Sequence, residues 1–121
     1  MNYRNTLLNK INTKKATVGI IGLGYVGLPL AGVFAKKNFN VIGFDKDSRK
    51  VQMLNKGKSY IKHIKNELLK KINKKFIATT DFKNIQNVDI IIFCLPTPLT
   101  LKKNPDLSFI TSTLNVVKKF L

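Results

Sequence analysis

Apolar positions fall in short blocks along the chain, and their spacing alternates between two periods. Ala16–Ile21 is a compact, β-branched run closed by a glycine, the mark of a buried strand. Phe39–Phe44 repeats it and stops at Asp45, Phe76–Thr79 is a shorter third run, and Asp89–Leu95 is the most apolar stretch of all. Between these runs the period lengthens to that of a helix. Tyr25–Lys37 has the apolar content of a buried helix, ended by Asn38. Val51 and Leu54 share a face after Asp47, with Gly57 as a stop. Ile64, Leu68, Leu69 and Ile72 form the apolar side of a lysine-rich amphipathic helix. Leu7, Leu8 and Ile11 predict a short helix ahead of the first strand. A brief helical turn is expected at Phe82–Ile85 and a last helix at Leu107–Phe120. Gly57–His63 reads as an irregular loop, and three prolines stiffen the loop Pro96–Pro105.

Strands alternating with helices in this order predict a parallel sheet covered on both faces. The first strand runs directly into Gly22-Leu-Gly24-Tyr-Val-Gly27, a G-x-G-x-x-G turn that opens a helix. Each glycine has its own physical reason. Gly22 allows the tight turn, Gly24 lets a diphosphate come close to the backbone, and Gly27 lets the helix pack closely on the sheet. The helix N-terminus offers free N–H groups and partial positive charge to that anion. Asp45, about 20 residues on, ends the second strand where a carboxylate can accept hydrogen bonds from an adenosine ribose. Its charge repels a 2′-phosphate and favours NAD over NADP, an inference softened by Lys46, Arg49 and Lys50 close behind. Asp47 and Ser48 are placed to cap the following helix, leaving Asp45 free for the ribose. The expected fold is therefore α/β, a Rossmann-type doubly wound parallel sheet truncated after about four strands. Residues 1–15 form an N-terminal extension and 16–121 an incomplete NAD-binding domain.

Composition narrows the setting. The chain has 121 residues, 44% of them hydrophobic, enough for one buried core. No apolar run nears the ~20 residues of a membrane span, and Met1–Lys15 lacks the apolar stretch of a secretory signal. A lone cysteine, Cys94, suits a reducing compartment, so a cytoplasmic location is expected. The formal net charge of +16 invites nucleic acid as a partner. The lysines, however, are scattered over every segment, and only Arg4 and Arg49 could offer the bidentate fork suited to bases and phosphates. Neither nucleic acid nor a membrane is expected as a partner, and no metal ligand set is expected.

Beyond the glycine turn, Val18–Ala31 with its Gly-Tyr-Val-Gly-Leu-Pro core resembles the opening of the UDP-glucose/GDP-mannose dehydrogenases, and Cys94-Leu-Pro-Thr-Pro-Leu99 resembles that family's second signature. Gly57–Ile64 and Pro105–Ile110 are further similar to the branch that oxidises UDP-N-acetylglucosamine. The resemblance implies that the backbone of Tyr25 and Val26 touches NAD, that Asp45 holds the ribose with Lys50 near it, and that Thr97 reaches the cofactor from the Pro-Thr-Pro turn. It also implies oxidation of a sugar C6 hydroxyl to a carboxylate with two NAD, through a cysteine-held thiohemiacetal, and a homo-oligomer at full length. The nucleophilic cysteine, an assisting lysine and the UDP-sugar-binding residues belong to later segments of the family fold, so the chain by itself is expected to be inactive. Cys94 reads as a small buried hydrophobe, and His63, without a carboxylate partner in view, as a surface residue or loop tie. The alternatives are a non-catalytic NAD-binding module, or UDP-glucose or UDP-N-acetylmannosamine as the sugar.

Overall fold

The structure is a computed structural model that describes residues 2–121. Met1, the first residue of the extension, lies outside the described residues. The elements run α1 (Tyr3–Asn12), β1 (Thr17–Ile21), α2 (Gly27–Lys36), β2 (Asn40–Phe44), α3 (Ser48–Asn55), α4 (Asn66–Lys71), β3 (Phe76–Thr79), a 3-10 segment (Phe82–Asn87), β4 (Ile90–Phe93) and α5 (Ser108–Val117). This is the expected order, with ends trimmed. α2 starts at Gly27 and not Tyr25, because the glycine turn must finish before helical bonding begins. The four strands form one parallel sheet in the order β3-β2-β1-β4.

That order follows from the crossovers. The chain steps outward from β1 through β2 to β3, then returns to the other side of β1 for β4. Connections after β1 and β4 therefore leave in opposite directions, and a crevice opens between them at the carboxyl ends of the strands. Alternate strand residues feed two cores. Val18, Ile20, Val41, Phe76 and Ala78 pack with residues of α2, α3 and α4 on one face. Ile21 and Phe44 meet Ile85 and Val117 on the other.

Three helices stop in the same way. Lys14, Asn38 and Gly57 adopt positive φ just past the ends of α1, α2 and α3. The next N–H in each case reaches back to a carbonyl in the last turn: Lys15 to Lys10, Phe39 to Phe34, Lys58 to Met53. This Schellman closure satisfies carbonyls the helix leaves orphaned. Asn and Gly accept that geometry readily, so Asn38 and Gly57 were legible as stops.

The extension is tied down through Asp89. Its carboxylate accepts the Thr17 N–H at 2.9 Å and the Lys10 ammonium at 2.9 Å, which joins α1 to the edges of β1 and β4. Partial burial alone would raise this carboxyl, but the Thr17 N–H and the Lys10 charge outweigh it and hold its pKa below the ordinary value. It is the one ion pair among the described residues, against a formal charge of +16.

Because the folded pKa of Asp89 is depressed, its contribution is present above the unfolded value of about 3.9 and fades as pH falls through the folded value. Asp89→Asn is expected to destabilise by about 1 kcal/mol at neutral pH, with the gap to wild type closing below about pH 4, read by urea melts across pH. Self-repulsion among unpaired cations should also lift Tm as NaCl rises from about 0.05 to about 0.5 M. A flat Tm in calorimetry would show that the charges are too dispersed to matter.

Candidate functional site

β1 ends at Ile21, and the chain turns at once across the carboxyl edge of the sheet. Gly22 makes the turn at φ +99°, and a Cβ there would lie 2.5 Å from the Cys94 carbonyl oxygen. Gly27 starts α2 so close beneath that its Cβ would lie 1.7 Å from the Gly22 oxygen. These two glycines are required by the protein's own backbone. Gly24 is not. No atom lies within 4 Å of the place its Cβ would take, and its φ is not in the left-handed region. The open space above Gly24 belongs to a cleft of about 670 Å³, within the range of small-molecule sites.

The cleft floor is the turn itself, with Gly22, Gly24, Tyr25 and Val26 along it. The tip of β2 adds Asp45 and Lys46, and the first turns of α3 add Lys50. Beyond the end of β4, Cys94, Leu95 and Pro96 form the opposite side. α2 begins at this floor with no side chain capping it. In its first turn the Leu28 N–H is taken by the Gly24 carbonyl at 3.1 Å and Pro29 has none, so the helix offers the cleft end chiefly its dipole, which favours an anion by about 0.3–1 kcal/mol per charge when exposed.

Asp45 is less free than its sequence position suggests. Its Oδ2 accepts the Leu23 N–H and its Oδ1 accepts the Asp47 N–H, each at 2.9 Å. This corrects the expectation of an uncommitted carboxylate: the tip of β2 is drawn onto the glycine turn, and Asp45 is the link. A carboxylate offers about four acceptor sites, so about two remain open toward the cleft. Asp47 caps α3 as expected, accepting from the Arg49 and Lys50 N–H groups.

Six of the eight expected binding residues therefore line one cleft: Gly22, Gly24, Tyr25, Val26, Asp45 and Lys50. Gly27 lies buried beneath it. Thr97 is exposed, one residue past Pro96 and outside the lining, because the flanking prolines carry the chain away from the end of β4. Cys94 departs from the buried reading. It follows β4, is only partly buried, and lines the cleft with its Cβ against Gly27. Burial still pushes its thiol pKa up, which disfavours the reactive thiolate. His63 is exposed and stacks on Tyr25, with ring centroids 6.3 Å apart.

Sequence reasoning missed the far wall and one support. Phe82, Phe109 and Thr113 close the cleft from the second face of the sheet. Tyr60 donates its hydroxyl to the Leu23 carbonyl, while the Lys50 ammonium lies 5.4 Å over its ring. No periodicity marks these positions. Their only sequence signal is that Tyr60 and Phe109 fall within the two motifs, Gly57–Ile64 and Pro105–Ile110.

The fold agrees with that of the proteins the chain resembles. Residues 16–121 match the profile of the UDP-glucose/GDP-mannose dehydrogenase family, NAD binding domain. An uncharacterised protein of Methanocaldococcus jannaschii is 38% identical over 104 residues, covering 84% of this chain and 12% of the relative. The UDP-N-acetyl-D-glucosamine 6-dehydrogenase of Pseudomonas aeruginosa is 32% identical over 108 residues, 89% of this chain and 25% of that enzyme. Among solved structures, NDP-N-acetyl-D-galactosaminuronic acid dehydrogenase from Methanosarcina mazei superposes with a TM-score of 0.81 at 34% identity, covering all of this chain and 28% of that one. The chain thus spans only 12–28% of the length of these three proteins. Among the described residues no helix is long and apolar enough to cross a membrane.

The two kinds of glycine separate by substitution. Gly27→Ala drives a methyl into the Gly22 carbonyl and is expected to cost about 3 kcal/mol or more, or to prevent folding. Gly24→Ala meets open space and should leave Tm within a few degrees of wild type, both read by thermal melts. Equal losses at the two positions would contradict this division.

Proposed function

The chain belongs to the UDP-glucose/GDP-mannose dehydrogenase family as its NAD binding domain, and on that premise we propose that it serves an enzyme oxidising the C6 hydroxyl of UDP-N-acetylglucosamine to the carboxylate with two NAD. The observation that carries the reading is Gly24, a glycine that nothing inside the protein requires, at the floor of a cleft beneath an uncapped helix end. Such open space fits a diphosphate that must approach the backbone.

In this reading Gly22, Gly24 and Gly27 shape the diphosphate seat, and the backbone of Tyr25 and Val26 lies along the dinucleotide. Asp45 accepts hydrogen bonds from the adenosine ribose with its remaining lone pairs, and its charge disfavours a 2′-phosphate. Lys50, held over the Tyr60 ring, brings positive charge to the same end. Thr97 meets the cofactor from the rim. Bound NAD supplies the hydride acceptor. The choice of N-acetylglucosamine is supported by the likeness of Gly57–Ile64 and Pro105–Ile110 to that branch. Oxidation itself is assigned to the larger enzyme, and the chain alone is expected to bind NAD without turnover: its one thiol, Cys94, falls in the Pro-Thr-Pro signature, which the resemblance places in the scaffold.

Titration calorimetry tests the site. Gly24→Val and Asp45→Ala are each expected to weaken NAD binding at least about tenfold, with wild type preferring NAD to NADP. Unchanged affinity in both variants would remove the assignment. The chain with NAD and UDP-N-acetylglucosamine should produce no NADH, and NADH formation would show that it is catalytically complete.

A further inference from the structure

Residue 23 of the glycine turn is fixed from three sides. The Leu23 side chain is fully buried in the core, its N–H donates to Asp45, and its carbonyl accepts the Tyr60 hydroxyl. The first two belong to the strand-turn-helix unit. The third arrives from the loop between α3 and α4, 37 residues downstream.

That loop is built to be stiff. Ser59 Oγ accepts the Ile61 N–H at 3.0 Å and donates to the Ile61 carbonyl at 2.9 Å. The Ser59 N–H is held by Asn66 Oδ1 at 2.8 Å, and Ile61 and Ile64 are buried in the main core. Tyr60 therefore projects from an anchored base. Three residues on, His63 stacks on Tyr25 of the same turn.

The geometry points to residues 59–63 as a brace for the diphosphate turn, with Tyr60 as its positioning residue; this rests on the reading that the turn binds NAD. The reason lies in the peptide plane. The Leu23 carbonyl and the Gly24 N–H belong to one trans unit and point in opposite directions. Gly24 has no Cβ to hold its φ, and although its own carbonyl accepts the Leu28 N–H at 3.1 Å, no side chain at residue 24 opposes rotation of the peptide plane before it. A flipped plane would present a carbonyl oxygen to the diphosphate where an N–H is needed. By taking the Leu23 carbonyl, the Tyr60 hydroxyl keeps the Gly24 N–H turned the other way. Burial first, then the charges of Asp45 and Asp47, pushes the Tyr60 pKa far above the usual range, so the hydroxyl remains a donor at any working pH.

Tyr60→Phe removes the hydroxyl and keeps the ring. Calorimetry is expected to show NAD and ADP bound about tenfold more weakly than by wild type, while adenosine, which lacks the diphosphate, changes less than about twofold by amide shifts. Circular dichroism confirms that the variant is folded. If NAD binds both forms equally, the brace is refuted and the cofactor site stands. If NAD, ADP and adenosine weaken together, the tyrosine merely stabilises the fold and the inference fails. If wild type does not bind NAD, the proposed function falls and takes the brace with it. Should Tyr60→Phe not fold, wild type labelled with 3-fluorotyrosine and assigned through Tyr3→Phe and Tyr25→Phe decides. Saturating NAD should shift the Tyr60 fluorine resonance, since a polarised Gly24 N–H strengthens the linked carbonyl's bond; a stationary resonance would overturn the proposal.

Discussion

A backbone-on-backbone contact governs this molecule. The carbonyl of Gly22 occupies the space that a side chain at Gly27 would need, and Gly22 itself lies against the carbonyl of Cys94. Turn and helix start are thus stacked main chain on main chain, with only the Cys94 Cβ between the exit of β4 and the helix start. This closeness brings α2 down onto β1 and makes the floor of the cleft main chain. It also presents the uncapped end of α2 to whatever sits above Gly24. A single methyl in the stack would separate helix from sheet. The cleft's shape is therefore set by sterics before any charged group acts.

Electrostatics is layered on that floor with little margin for misuse. A formal charge of +16 and one ion pair among the described residues give a broad positive field that attracts any anion. Attraction of that sort does not select a ligand, because it is spread over the surface. Selection requires the opposite sign at one point, and Asp45 supplies it inside the cleft. Its two backbone bonds also keep the carboxylate from swinging toward neighbouring lysines. The same residue closes the turn and, in the proposed reading, marks the ribose end, so the tip of β2 and the glycine turn are built together.

The sheet was legible in the sequence because its strands are nearly pure apolar runs, and its parallel, doubly wound character followed from their alternation with helices and from the glycine turn. Asn38 and Gly57 announced helix ends through their tolerance of positive φ. Lys14, which closes α1 in the same geometry, carried no such signal. Asp45 was found by position, but its bonds were not, since a carboxylate at a strand tip does not reveal which N–H groups will reach it. Tyr60 was hidden for a more general reason. A lone tyrosine in an irregular loop has no period, and its partner is a main-chain carbonyl that every residue possesses. Cys94 was misjudged because the apolar run Asp89–Leu95 outlasts the strand, which ends at Phe93; β4, paired only with β1, is half-buried along its length.

The two faces of the sheet divide rigidity unequally. Fifteen buried residues form the cluster under α2, α3 and α4, against four on the face covered by the 3-10 segment and α5. Local stability follows buried apolar contact, so the floor and the Asp45 side of the cleft stand on the firmer half. The wall of Phe82, Phe109 and Thr113 stands on the thinner one. In the proposed reading, a cleft with one firmer side holds the groups of the glycine turn preorganised, which lowers the ordering cost of binding. Placing Tyr60 on the firm side is consistent with that division. A support that moved with the wall could not keep a peptide plane from turning.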